Sequence, residues 1–369
     1  MDVRRLAEPA LRMLFDLYRS MRPRLAATKD ALRRRARSND LLRRVYYDPH
    51  ERDVYAVRNE RLFSDAWHQE RMLADAVRVD AYERALSVAL RPGAVVADIG
   101  TGCGILALLA ARHGAGTVHA VDHAAVIEWA RQVADARGED RIRFHRTHSR
   151  DFDPGHRVDV LVHEQIGDWL FDERMLDTLL DLRDRILQPE GRILPGAFDL
   201  HIEPVQLVDE QSVPFLHQIE AAGIDFSVLR DVSDDAVRTL RLVVPPADVA
   251  MALSSPRPLL HVDLHELSEA RLPTRLTATR TVERVGRFDG FCVSFVAHLT
   301  PEIRIDTSPF APASQRPWHW ANGFLRVETR DVRPGDRIEL ELNALDLARP
   351  ETWTWNANVV EQTATQRAG

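Results

Sequence analysis

The stretch "VHEQIGDWLFDERM" (162–175) sets two carboxylates, Glu164 and Glu173, around a short turn of Gly, Asp and large apolar residues. Glu164 ends the apolar run "VDVLVHE", and Glu173 opens the helical pattern "ERMLDTLLDLRDRIL". An acid in a first helical turn is common because the helix dipole favours it, so Glu173 alone says little. The pair says more. Two carboxylates converging on one cavity repel each other and need a cation between them. A guanidinium suits that place: it is planar, permanently charged and offers five N–H donors for two-pronged contacts.

A second constellation precedes it. In "VADIGTGCG" (96–104), Asp98 ends an apolar run and is followed by Gly100, Thr101, Gly102 and Gly104. Glycines permit positive φ and a close approach of backbone to ligand. Where such a turn opens a helix after a strand, nucleotide-like ligands sit. Asp122 closes the next apolar run, "TVHAVD", placed to accept hydrogen bonds from both hydroxyls of a ribose. The pattern is not the G-x-G-x-x-G dinucleotide fingerprint and has no phosphate-binding lysine. A tight turn with a surface acid is the plain alternative, but strand, turn, helix, strand and acid all fall in order.

The elements that must hold these groups alternate. "AVVADIG", "TVHAVD", "RIRFH" and "VDVLVHE" read as strands, and "ILALLAARHG", "AVIEWARQVADAR" and "ERMLDTLLDLRDRIL" as helices. That rhythm predicts a parallel, doubly wound α/β sheet, with Glu164 at the C-terminal end of its fourth strand. Before it, "HQERMLADAVRVDAYERALSVAL" (68–90) reads as one helix with Met72, Val79, Tyr82 and Leu86 on a stripe, stopped by Pro92-Gly93. After about residue 195 alternating segments take over: "LHIEPVQLV", "LLHVDLHEL", "FCVSFVAHL" and "RIELELNAL". They predict an antiparallel sheet or barrel, interrupted near 214–224 by a helical insertion, "PFLHQIEAAGI". The predicted division is 1–58, an N-terminal helical extension; 59–194, the doubly wound domain; and 195–369, the antiparallel domain.

Bulk properties narrow the classes. The 369 residues suffice for two domains, with 45% hydrophobic and 28% charged residues, as in soluble globular proteins. A net charge of -7 argues against a general nucleic-acid binder. The basic run "RRRAR" (33–37) reads as a solvated helix face. Lys29 is the only lysine, a bias towards arginine that points to a GC-rich, bacterial genome. Cys103 and Cys292 are too few for a disulfide framework or a zinc site, and no metal site is expected. The start of the chain breaks its apolar residues with charges, and no run approaches the ~20 apolar residues of a membrane span. A cytoplasmic protein is expected.

With these residues in view, the G-x-G-x-G turn and its two acids resemble class I methyltransferases, which bind S-adenosylmethionine. "HEQIGDWLFDERML" resembles the double-glutamate loop of the protein arginine methyltransferases, at that family's spacing, with Met175 matching the methionine after the second glutamate. "ERMLADAVR" (70–78) resembles the helix over the cofactor, with Met72, Asp75 and Arg78 spaced by three and so on one helix face. "DTSPFAPASQRPWHWANGFL" (306–325) resembles the family's Thr-His-Trp loop, with His319 and Trp320 matching. "IEAAGIDFSVLRD" (219–231) resembles the segment carrying the dimerisation arm. The likeness runs from about 59 to 345.

The resemblance implies a Rossmann-like cofactor domain followed by a β-barrel, assembled as a homodimer. It implies that Gly100, Thr101, Gly102 and Gly104 line the cofactor turn, that Asp122 holds the ribose, and that Arg78 pairs with the methionine carboxylate. Asp98 and Met72 join that cofactor set. Ser149 stands where the family has an acid near the adenine. Glu164 and Glu173 would grip the acceptor guanidinium, and His319, paired with Asp75, would relay its proton. Met175, Trp318 and Trp320 would border the acceptor.

The acceptor side departs from the family. Trp318 replaces the threonine, Phe63 stands where a tyrosine is expected, and the helix start reads His68-Gln69-Glu70. Three activities follow as expectations: methyl transfer to arginine in a protein or peptide; the same chemistry on a small guanidine, amidine, amine or hydroxyl acceptor in a bacterial biosynthetic pathway; or a degenerate binding scaffold. The retained glycines, Asp122, Glu164 and Glu173 oppose the last.

Overall fold

The computed structural model describes residues 64–230, 242–268 and 272–362. All of them fall within one compact unit, Phe63–Gly369. The N-terminal extension 1–58, its basic run and Phe63 lie outside the described residues.

Five strands form the doubly wound sheet: β1 (Val95–Ile99), β2 (Thr117–Asp122), β3 (Ile142–Arg146), β4 (Val158–His163) and β5 (Leu187–Leu194). Their order is β3-β2-β1-β4-β5, all parallel. The chain winds outward from β1 through β2 to β3, then returns to β4 on the other side of β1. The switch point lies between β1 and β4, where ligands bind in such sheets. Central strands buried on both faces read as continuous apolar runs, which is why β1 and β4 were legible. Five helices serve this half: α1 (Ala66–Ala74), α2 (Ala76–Ala89), α3 (Ile105–Arg112), α4 (Ile127–Ala136) and α5 (Met175–Ile186).

The predicted continuous helix over 68–90 is in fact two, α1 and α2, broken at Asp75. Asp75 has φ -77 and ψ 83, outside the helical region, and its carboxylate accepts from Arg78 N at the start of α2. The acid is spent as an N-cap, so Met72, Asp75 and Arg78 do not share a face of one straight helix.

Beyond residue 195 the strands are antiparallel. They are β6 (Ala197–Leu207), β7 (Glu220–Ala221), β8 (Ile224–Asp225), β9 (Leu242–Val244), β10 (Val249–Ala252), β11 (Leu260–Asp263), β12 (Arg275–Thr281), β13 (Gly286–His298), β14 (Arg304–Asp306), β15 (Asn322–Val332), β16 (Arg337–Asn343) and β17 (Thr354–Val360). A seven-stranded sheet is built on β10-β6-β13-β15-β9, with β11 beside β6 and β14 beside β13; β12-β16-β17 form a second sheet and β7-β8 a small hairpin. One face of β6 and β13, including Phe198, Leu200, Ile202, Phe291, Val293 and Phe295, joins the same apolar core as β1 and β4.

The helical insertion expected at 214–224 is not there. Leu216–Gln218 is a single 3-10 turn, followed by the β7–β8 hairpin through Ala222 and Gly223, both at positive φ. Tertiary contacts override the helical spacing: the Arg326 guanidinium stacks 4.0 Å above the Phe215 ring, and His217 meets Glu328 at 3.2 Å.

Candidate active site

The glycine turn is held from below and from the side. Asp98 is fully buried at the end of β1, and its Oδ2 accepts from Thr101 Oγ1 at 2.6 Å and from Ala107 N at 3.0 Å. Its carboxylate therefore braces the turn against the first turn of α3. Burial pushes its pKa up to about 7, against the pull of the Thr101 and Ala107 donors. Gly102 N donates to Asp122 Oδ2 at 3.0 Å, and Ala124 N donates to Oδ1 at 2.8 Å. These bonds fix the Asp122 carboxylate at the carboxyl end of β2, facing the turn.

Two of the glycines are required. Gly104 has φ +87, and a Cβ there would lie 2.7 Å from Ala130 Cβ. Gly102 has φ +54, and its Cβ would lie 3.0 Å from Gln69 Oε1. Gln69, buried on α1, also accepts from Cys103 N at 3.2 Å, so it docks α1 onto the turn. The sequence showed Gln69 only as a departure from a pattern. Ser149 lies beyond the end of β3 on a 3-10 turn, its hydroxyl 3.4 Å from His148 Nδ1. Met72 is half-buried on α1, and its carbonyl accepts from Arg78 Nη2 at 2.6 Å.

The acidic loop faces the same end of the sheet. Tyr82 OH donates to His163 O at 2.8 Å, fixing the residue before Glu164. Gln165, the residue after Glu164, places its Cγ 3.6 Å from where a Cβ of Gly100 would stand, so the loop leaves β4 beside the glycine turn. Leu170 and Arg174 both take positive φ, 71° and 57°, a conformation unfavourable to branched and bulky side chains. Surrounding contacts enforce it. Trp169 lies over Gly323, where a Cβ would meet its ring at 2.8 Å, and packs edge-on against Trp353. Trp320 Nε1 donates to Ile166 O at 2.7 Å, and Ala321 N donates to Asp168 Oδ1 at 2.8 Å. The loop is thus clamped between the two halves of the molecule. Strain held by such over-determination clusters at functional sites.

Arg78, 3% exposed, reaches Glu164 Oε2 with Nη1 at 3.0 Å. Burial raises the Glu164 pKa, opposed by the charges of Arg78 and His319. Glu173 has no hydrogen bond or ion pair among the described residues. Burial pushes its pKa well above the usual glutamate range, and the charges of Glu164, Asp172 and Asp168 push it further. The two glutamates share one electrostatic region in which cationic charge is short.

Asp75 and His319 meet as the sequence pairing required. Asp75, fully buried, receives His319 Nδ1 at 2.8 Å, His319 N at 3.2 Å and Trp318 N at 2.9 Å on Oδ2. Burial alone would raise its pKa, but the His319 hydrogen bonds and charge outweigh that and lower it. The other ring nitrogen, His319 Nε2, stands 3.9 Å from Glu164 Oε1. Since Nδ1 meets a carboxylate, Nε2 is the nitrogen turned towards the acids.

The three residues expected at the acceptor border differ in exposure. Trp318 is 49% exposed, with Arg71 over its ring at 5.5 Å. Trp320 is 4% exposed and braces the acidic loop through Ile166. Met175 is fully buried at the start of α5. The sequence showed Tyr82 only as part of an apolar stripe, and the roles of Ile166, Asp168 and Trp169 escaped it because they depend on partners distant in the chain. Among the described residues, no group of three or more His, Cys, Asp or Glu is placed to hold a metal ion.

A five-stranded parallel sheet with a glycine turn at its switch point and a paired acid on the next strand defines a class I methyltransferase. Consistent with this, residues 79–193 match the family model of ribosomal protein L11 methyltransferase (PrmA). The chain is 36% identical over 310 residues to protein arginine N-methyltransferase PRMT10 of Oryza sativa subsp. japonica, spanning 75% of this chain and 80% of that protein. It is 33% identical over 290 residues to an arginine N(omega)-methyltransferase of Streptomyces achromogenes subsp. streptozoticus, spanning 76% of each. A solved Trypanosoma brucei PRMT1 enzyme–prozyme heterotetrameric complex with AdoHcy superposes with a TM-score of 0.69 at 25% identity, covering 82% of this chain and 96% of that one. The chain belongs to the protein arginine N-methyltransferase family.

Proposed function

We propose that the protein transfers a methyl group from S-adenosylmethionine to a guanidinium nitrogen of arginine in a protein or peptide. The observation carrying this reading is Glu173: a half-buried carboxylate with no ion pair among the described residues, in the field of a second carboxylate, Glu164. An arriving cation stabilises such a group as an anion.

The chain's residues fit the cofactor. Gly100, Thr101, Gly102 and Gly104 leave backbone open for close approach, and Asp122 is oriented to take ribose hydroxyls. Arg78 has a buried Nε without a hydrogen-bond partner, so its guanidinium has donor capacity left for a carboxylate. Ser149 and His148 stand at the adenine side. Bound there, S-adenosylmethionine supplies an electrophilic methyl on a sulfonium centre.

The rest belongs to the protein. Glu164 and Glu173 take two edges of the acceptor guanidinium and draw its positive charge towards the nitrogens they touch. The remaining nitrogen keeps more lone-pair character and is aimed at the methyl. Arginine does not lose its proton beforehand, so a proton leaves during or after transfer. His319 Nε2 receives it, and Asp75 fixes the ring and balances its charge. Met175 and Trp320 hold the loop from beneath, and Trp318 stands at the rim.

In this reading residues 59–194 carry the cofactor and 195–369 the acceptor surface. The molecule works as a cytoplasmic homodimer built through the 219–231 segment, in a bacterium. No helix of the described residues is long and apolar enough to cross a membrane.

A second reading, a small guanidine as acceptor, is favoured by one observation: the Streptomyces relative is named for arginine with no protein qualifier. Incubation with methyl-tritiated S-adenosylmethionine, an arginine-rich peptide and free arginine separates the two. Label in the peptide supports the first reading, and label in free arginine alone supports the second. No label in either contradicts both.

A further inference from the structure

The face of β6 and β13 turned away from the main apolar core borders a cavity of about 310 Å³. It lies in the antiparallel half, under the chain that runs from Asp306 to Pro312. Register explains its floor: Glu203 pairs with Cys292 and His201 with Ser294, so all four side chains rise on one side of the sheet. Phe310 and Pro312 form the roof, and Asp306 stands at the edge.

Three features make this a built site rather than a packing gap. First, Ser294 is only 6% exposed, lines the cavity, and has no hydrogen-bond partner among the described residues. Its hydroxyl is open to a polar guest in the cavity, and a hydrogen bond to a charged group is worth about 1.5–3 kcal/mol. Second, the charge is one-sided. Glu203 is already neutralised by Arg280, whose Nε and Nη2 lie 2.8 and 3.0 Å from its carboxylate. Asp306 has only a backbone donor, Ser308 N at 2.9 Å, and no arginine lines the cavity. His201 is the basic residue of the lining and stands 3.9 Å from the Glu203 carboxylate, so Asp306 is the acid of the lining without a cationic partner among the described residues. Third, most of the wall is apolar. Cys292 adds to it, since burial pushes its thiol up to about 12 and keeps it neutral. A few polar groups on an apolar wall are the usual make-up of a small-molecule site.

We propose that this cavity is a second binding site, for a guanidinium or ammonium group carried on a short apolar stem. The stem packs under Phe310 and the prolines. The cation faces Asp306 and donates to Ser294 Oγ. Two sources share this chemistry: another basic side chain of the acceptor polypeptide, or a free organic cation. Only the first rests on the activity proposed above.

The test separates this site from the double-glutamate loop. Butylguanidinium is titrated by NMR into the full chain carrying Glu164→Gln and Glu173→Gln, where the loop no longer competes. The expected result is saturable binding, weakened at least tenfold by adding Ser294→Leu, which fills the cavity. It is weakened several-fold by Asp306→Asn, a rim change that leaves the packing alone. Butyrate, with the opposite charge on the same stem, is expected not to bind. Absence of saturable binding, or binding untouched by both changes, overturns the proposal. Calorimetry on the same background with peptides bearing one or two arginines distinguishes the sources. A tighter two-arginine peptide, with the advantage erased by Ser294→Leu, assigns the site to the polypeptide. Equal peptide affinities with butylguanidinium still bound assign it to a free cation.

Discussion

The two halves of the active site are finished to different degrees. At the glycine turn, Asp122 is met on both carboxylate oxygens by backbone N–H groups, and Asp98 by a hydroxyl and a helix N–H. In that half three of the four carboxylate oxygens are held by protein donors, and only Asp98 Oδ1 is left without one. At the acidic loop the balance is short: Glu164 has one arginine, Glu173 has none among the described residues, and both are half-buried. Carboxylates held by backbone donors position a ligand, whereas a half-buried carboxylate without a cation selects what comes to pair with it.

The contrast can be broken from either side, and the larger effect is expected from the open half. Glu164→Gln is predicted to lower turnover on the order of a thousandfold while cofactor affinity changes only a few-fold, measured by initial rates and by calorimetry with S-adenosylhomocysteine. Asp122→Ala should do the reverse. Even one lost charge-assisted bond, about 1.5–3 kcal/mol, lowers cofactor affinity roughly 10- to 100-fold, with a much smaller loss of rate at saturating cofactor. If the two variants fail in the same way, the division of labour is wrong.

A third, smaller effect sharpens the comparison, because each half rests on a buried neutral histidine. His119 on β2 and His163 on β4 are both pushed down to about 4 by burial, and His163 Nε2 meets Pro195 O at 3.1 Å. The folded values lie below the unfolded value of about 6.5, so the unfolded chain binds more protons once the pH drops below it. Stability is therefore full above about pH 6.5 and falls as the pH goes down towards 4, by at most about 3 kcal/mol per histidine. Thermal unfolding at pH 7.5 and pH 5 should show this fall, and His163→Asn should flatten it.

The cofactor half was legible in the sequence and the acceptor half only in its residue types. Local pattern dictates the first: β1, the glycines and α3 are contiguous, and burial on both faces writes β1 and β4 as apolar runs. The pairing of Asp75 with His319 spans 244 residues and became legible only through family resemblance. The break at Asp75 was hidden because "ERMLADAVR" keeps helical spacing across it, and only the fold shows its carboxylate capping α2. Trp318 and Trp320, two residues apart, looked equivalent. One is half exposed under Arg71 and the other is buried against the acidic loop, because 318–320 lie in a bend before β15 and not in a strand, where residues two apart would share a face. The segment at 214–224 misled because its apolar spacing is helical, while Arg326, Glu328 and Gly223 fix it otherwise.

The most direct test of the account is calorimetric: binding of a single-arginine peptide to the protein saturated with S-adenosylhomocysteine, in wild type and in Glu173→Gln. If Glu173 waits for the guanidinium, the variant binds the peptide at least ~30-fold more weakly, the equivalent of about 2 kcal/mol, with cofactor affinity intact. Equal peptide affinity in the two proteins would contradict it.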